Sequence, residues 1–237
     1  VTCMMPYDRS LDVPFAFEPE RPVTTLGEVV SAAGLRQFHT AETEKYAHVT
    51  YFLNGGRSEP YPGETQHLVP SPTVATYDLA PEMSAYQVAA SVVGAIESRE
   101  YGLVLVNFAN GDMVGHTAVR DAVVQAVEVL DDVMGWVLDA AAKHDHAVLL
   151  TADHGNCEEI VDPTNDEPQT QHTAYPVPCL VVDEVTWKLS CSGGLAAVAP
   201  TVLTLMGLEV PREMSGKSLL LKPLNREPKL RSLRSAA

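Results

Sequence analysis

The stretch Leu103 to His116, LVLVNFANGDMVGH, constrains the fold of this chain more than any other. Its apolar run, Leu103 to Asn107, reads as a buried strand that breaks off in polar and glycine residues. Asp112 and His116 follow, four residues apart, so a helix there turns a carboxylate and an imidazole the same way. His146 to Thr151, HAVLLT, predicts a second strand, which runs into Ala152-Asp153-His154-Gly155-Asn156. Gln171-His172-Thr173 leads into a third strand-like run, Pro178 to Val182. In an open parallel α/β sheet the ligand crevice lies outside the carboxyl ends of the strands, which gathers Asp112, His116, Asp153, His154 and His172 in one place.

The segments between these strands support that architecture. Val119, Val123, Val127, Leu130, Met134 and Leu138 recur at three- and four-residue steps and predict a long amphipathic helix joining the first two strands, a βαβ unit with a right-handed crossover. Upstream, Thr24-Thr25 caps a helix over Leu26 to Ala33 that Gly34 closes. Leu35 to Thr43 reads as extended, and Ala47 to Leu53, AHVTYFL, as a strand stopped by Asn54-Gly55-Gly56. The proline-rich run from Arg57 to Asp78 reads as a long loop. Ser84 to Ser98 predicts a helix with Met83, Val88, Val92 and Ile96 on one stripe, and Leu195 to Leu208 another, with Pro200 near its first turn.

Composition narrows the function. A net charge of -15, with only 16 scattered basic residues, excludes a nucleic-acid binder, which needs a Lys/Arg face, and means that an anionic substrate must be met by metal. No apolar run approaches the roughly 20 residues of a membrane span, and Val1 to Pro6 has no basic segment ahead of an apolar one, so a soluble cytoplasmic protein is expected. Cys3, Cys157, Cys179 and Cys191 form no CxxC and are read as reduced thiols.

Mixed oxygen and imidazole ligands suit Mn, Zn or Fe better than Ca. The five candidates are too many for one ordinary zinc site and too few for two complete ones. Paired metals activate a nucleophile on one side and steady a leaving oxygen on the other, as phosphoryl transfer requires. Plainer roles stay open: Asp112 as a helix cap, Asp153-His154 as a turn, Lys45 as a surface lysine. His39, His48, His67, His144 and His146 are read as having no site role.

Several longer motifs resemble those of the cofactor-independent phosphoglycerate mutases of the alkaline phosphatase superfamily: Tyr7-Asp8, Pro14 to Phe17, Thr25-Leu26-Gly27-Glu28, Ala41 to Tyr46 (AETEKY), Asn54-Gly55-Gly56, Asn110 to His116 (NGDMVGH), Thr151 to Asn156, His172-Thr173, and Gly216-Lys217-Ser218-Leu219. The resemblance implies an α/β fold with a mostly parallel sheet flanked by helices, and interconversion of 3-phosphoglycerate and 2-phosphoglycerate through a phosphoserine with two manganese ions. It implies that Asp112, His116 and His172 hold one metal, that Asp153 and His154 hold the other, and that Lys45 meets the transferring phosphoryl group. The family's chain is roughly twice as long, and its amino-terminal aspartate, nucleophilic serine and substrate arginines find no matching motif here. The fold is therefore expected to be incomplete at the amino end: residues 1–14 as the last strand and exit of a substrate domain, 15–23 a linker, 24–225 a phosphatase-like metal-binding domain, and 226–237 a polar tail. Such a chain alone is expected to be inactive and able to associate with itself. A free-standing metal-binding protein without turnover, and a metal-dependent phosphate-ester hydrolase, are the alternatives.

Overall fold

A computed structural model describes residues 1–6, 12–18 and 21–225. Tyr7-Asp8, Pro19 and the tail 226–237 lie outside the described residues. The centre of the fold is β1 (Gln37–Glu42), buried at all six positions. It pairs in parallel with β2 (Glu64–Val69) on one side and with β3 (Leu103–Asn107) on the other. A parallel strand covered on both faces reads as a continuous buried run, and both faces of this sheet carry helices. Gln37 Nε2 donates to the Gly27 carbonyl in α1 (Leu26–Ala32) on one face, whereas Thr40 meets Ser91 of α3 (Ala85–Ser98) on the other.

The capped helix is present as expected: Thr25 Oγ1 accepts from the Glu28 backbone N–H at 3.3 Å, and Gly34 takes a φ of +72° just past the end. The run Ala47 to Leu53 is not a strand. Helix α2 (Thr43–Ala47) continues into a π-helical turn, His48–Phe52. Its β-branched and aromatic residues favour a strand locally, but Thr50 Oγ1 donates back to the Tyr46 carbonyl at 2.7 Å and only Val49 and Thr50 of the turn are buried. The expected loop from Arg57 to Asp78 contains β2, whose polar sequence ETQHLV hid it; pairing with β1, rather than apolar alternation, makes it a strand.

Helix α5 (Arg120–Lys143) follows β3 and α4 (Asn110–Gly115). Its buried stripe is Ala122, Ala126, Val129, Val133, Val137 and Ala140, one position round from the one expected; Val123 is buried too, while Val119 and Val127 are exposed. Alanine lets α5 approach α3 closely, so the small residues take the centre and Leu130, Met134 and Leu138 its flank. The crossover leads to β4 (Val148–Thr151), which pairs antiparallel with β5 (Cys179–Val182) and belongs to a separate hydrogen-bonded sheet from β3. Val104 and Val106 of β3 and Val148 of β4 nevertheless pack on the same core beneath α5. The remaining pair is β6 (Trp187–Leu189) with β7 (Leu220–Pro223). Between them in sequence, α6 (Val198–Met206), with Pro200 in its first turn, sends Leu203 into the core of Leu26, Val30 and Leu35. Leu203 is fully buried, so Leu203→Ala is expected to cost about 2 to 5 kcal/mol in urea unfolding. No helix among the described residues is long and apolar enough to cross a membrane.

Candidate metal centre

The end of β3 turns directly into α4, which carries Asp112 in its first turn and His116 at its carboxyl cap. The end of β4 delivers Asp153 and His154. A single backbone bridge, Gly155 with Thr173, lays His172 against them, its two strands joined by Thr173 N donating to the Gly155 carbonyl at 3.0 Å. The His154 and His172 rings stack with centroids 3.7 Å apart.

Everything converges on one oxygen. Asp112 Oδ1 lies 2.8 Å from His172 Nε2, 3.0 Å from His116 Nε2, 3.2 Å from Asn156 Nδ2 and 3.9 Å from His154 Nε2. The other oxygen, Oδ2, is paired with the buried ammonium of Lys45. His116 Nδ1 must donate to the Thr170 carbonyl 2.7 Å away, because a carbonyl only accepts. That leaves Nε2 as the ring atom turned to Asp112 and to His172 Nε2, 3.2 Å distant. Backbone orientation of an imidazole in this manner is how metal-ligating histidines are held. Ligand atoms on a tetrahedron of about 2.1 Å bonds stand about 3.4 Å apart, which is the spacing of this cluster. The donor set therefore fits a divalent metal, and the ligand atoms of Asp112, His154 and His172 all lie within 4.8 Å of one another.

The five sequence candidates are not equivalent. Asp112, His116, His154 and His172 meet, whereas Asp153, the most exposed of the aspartates here, touches the group through His154 Nε2 at 3.6 Å. The His154 ring lies nearer to His172 than the His116 ring does, with centroids 3.7 Å against 4.9 Å apart, so the geometry does not by itself divide them between two ions.

Some residues were missed by sequence reasoning. Asn156 braces Asp112 from the side chain and packs where a side chain at Gly115 would stand. Glu158 accepts from the Asn156 N–H at 2.8 Å and from the Thr173 hydroxyl; burial pushes its pKa up, and these bonds bring it net below the usual range. His48 feels Lys45, Asp153, Asp112 and His154, and burial first, then Lys45, lower its pKa. The signal for Asn156 and Glu158 was their place in the run Asp153 to Glu159; His48 had none beyond standing three residues after Lys45. Cys157 is no nucleophile: burial, then Glu158 and Asp112, push its thiol up to about 11.

Burial would raise the Asp112 pKa, but the Lys45 hydrogen bond and charge, with His172 and His116, bring it from 3.8 to about 2. A depressed carboxyl contributes stability above its unfolded pKa and loses it as pH falls through its folded one. Between about pH 5 and pH 2 the metal-free chain should lose about 2 kcal/mol through this group in urea melts, a slope that Asp112→Asn flattens.

The fold is α/β, with a parallel sheet flanked by helices, and the donor set at its strand ends is one that could hold a divalent metal. Residues 15–210 match the model of the Metalloenzyme superfamily, and the chain belongs to that family. It is 51% identical over 219 residues to 2,3-bisphosphoglycerate-independent phosphoglycerate mutase 2 of Methanosarcina acetivorans, which covers 92% of this chain and 42% of that protein. The corresponding mutase of Clostridium novyi is 52% identical, over 91% of this chain and 43% of its own. Crystal structures of Leishmania mexicana phosphoglycerate mutase at low cobalt concentration superpose with a TM-score of 0.83 at 33% identity, over 93% of this chain and 44% of that one. The chain thus spans less than half the length of the mutases it matches.

Proposed function

We propose that this chain is the metal-binding part of a phosphoglycerate mutase that interconverts 3-phosphoglycerate and 2-phosphoglycerate through a phosphoserine, with two manganese ions, in the cytoplasm as part of glycolysis. The observation that carries the reading is the convergence of Asp112, His116, His172 and His154 beside the buried Lys45 ammonium. Asp112, His116 and His172 hold one ion; Asp153 and His154 supply part of the shell of the other. A bound divalent ion stabilises negative charge on a phosphoryl oxygen and lowers the pKa of an attacking hydroxyl. In this reading Lys45, paired with Asp112, meets the phosphoryl group, and the Thr170 carbonyl accepts from His116 Nδ1. Among the described serines, Ser71 donates to Glu42 at 2.8 Å and Ser84 to the Pro70 carbonyl at 2.7 Å. In this reading none of the serines of residues 1–237 is assigned as the nucleophile. Residues 1–14 are the exit of a substrate domain, 15–23 a linker, 24–225 the metal-binding domain and 226–237 a tail.

Calorimetric titration of Mn²⁺ into the chain tests the assignment. The tightest site should vanish in His116→Ala and persist in Asp153→Ala, because the first set of ligands is more nearly complete. Tightest binding that survives His116→Ala would show the assignment to be wrong, and the same titration with Zn²⁺ tells which ion the shell prefers.

A further inference from the structure

On the face of β1 opposite α3, Gln37 and His39 meet Glu64 of β2 in a cluster sealed from solvent, the His39 and Glu64 side chains both 0% exposed. His39 Nδ1 lies 2.8 Å from the carbonyl of Val49, and Nε2 lies 3.0 Å from Gln37 Oε1. Gln37 Nε2 in turn donates to the Gly27 carbonyl at 2.8 Å. This line of contacts begins and ends on a carbonyl oxygen. A neutral imidazole has one N–H and one lone pair, so one ring nitrogen would face an oxygen with no proton between them. Turning the Gln37 amide over moves the conflict without removing it, since its oxygen would then meet the Gly27 carbonyl. The line is short by one proton, which an imidazolium supplies.

A counter-charge stands beside it. Glu64 Oε1 is 3.5 Å from His39 Nδ1. The Glu64 oxygens also accept from Asn54 Nδ2 at 2.9 and 3.0 Å, from Gln66 Nε2 at 2.6 Å and from the Tyr61 backbone N–H at 2.9 Å. Burial pulls the His39 pKa down, and Glu64 and the Val49 carbonyl pull it up. Burial outweighs both, so together these influences lower the His39 pKa; against that, an unpaired acceptor at either end of the line costs the neutral form a buried hydrogen bond as well. The ionisable groups facing His39 are Glu64 from β2 and, beyond it, the Tyr46 phenol from α2, which is raised by burial and then by Glu64. From β3 its register partner is Leu105, and α1 presents the Gly27 carbonyl.

We propose that His39 is a buried imidazolium paired with Glu64, and that this charge is a positioning device for the Lys45 helix. Val49 lies in the π-helical turn that continues α2, and the Lys45 carbonyl accepts from the first residue of that turn, His48. Tying the Val49 carbonyl to β1 therefore fixes how α2 leaves the sheet and where the Lys45 ammonium stands beside Asp112. The consequence for function rests on the proposed role of Lys45; the protonation state does not.

Nitrogen-15 NMR of histidine-labelled chain, free of metal, reads the protonation state directly. Expected is one histidine with both ring nitrogens protonated at pH 7, its N–H signals protected from solvent, and this signature lost in Glu64→Gln. A His39 ring with one bare nitrogen at pH 7 in the folded wild-type chain overturns the proposal, whatever the metal site does. Hydrogen exchange then tests positioning: protection of amides 43–52 should fall as pH rises through the folded pKa of His39, by up to about tenfold per pH unit for one linked proton. His39→Arg, which keeps the charge at every pH, should retain the protection and lose the dependence, whereas His39→Gln should lose protection throughout. Equal behaviour of the two variants would mean that His39 only fills space, and would overturn the positioning role.

Discussion

In a chain long enough to turn over, Asp112→Ala, His116→Ala and Asp153→Ala each lower phosphoglycerate interconversion by at least about a hundredfold, as loss of a preorganised electrostatic group does. Residues 1–237 alone are expected to give none. A two-step transfer through an enzyme-bound phosphate needs a nucleophile in line with the departing oxygen, charge stabilisation on both sides, and a surface that holds the glycerate between steps. The cluster around Asp112 and Lys45 offers the stabilisation. Positioning alone cannot replace the covalent step. A chain extended to the length of the matched mutases is expected to show turnover. Conversion of 3-phosphoglycerate by the purified chain, lost in His154→Ala, would instead point to a nucleophile within it, and phosphate release without isomerisation to a hydrolase.

The second large effect concerns stability. β1 is buried at every position, while β3 and β4, with sequences as apolar as LVLVN and VLLT, are only half-buried throughout. Among the described residues β3 pairs only with β1, and β4 only with β5, so each keeps an open edge. Open edges flanked by apolar side chains invite pairing with another chain. We expect this chain by itself to associate at high concentration, and a longer chain that covers these edges to melt at least about 10 °C higher, the shift that roughly 3 to 4 kcal/mol produces in a domain of this size. Light scattering and thermal melts of the two side by side give the answer. A monomer that melts as high as the longer chain would show that the edges are already satisfied.

Much of the site was legible because it sits where apolar strands stop. The Leu103 and Val148 runs announced their ends, and the four-residue spacing of Asp112 and His116 announced their common face. Convergence with His172 was legible only as a sum of residue types, since the bridge between Gly155 and Thr173 is a tertiary contact with no local signature. The misreadings share a neighbourhood. Ala47 to Leu53, expected as a strand, is helical, and Glu64 to Val69, expected as loop, is a strand; both lie against the polar group of Gln37, His39 and Glu64, to which the Val49 carbonyl is tied. Apolar periodicity carries no record of a buried polar network.

The central claim, that Asp112, His116 and His172 hold a divalent ion, is tested most directly by anomalous X-ray scattering from crystals of the chain grown with Mn²⁺. The account predicts a manganese peak bonded to Asp112 Oδ1, His116 Nε2 and His172 Nε2, with Thr170 still accepting from His116 Nδ1. A manganese peak elsewhere, with these three side chains still closed on one another, would contradict it.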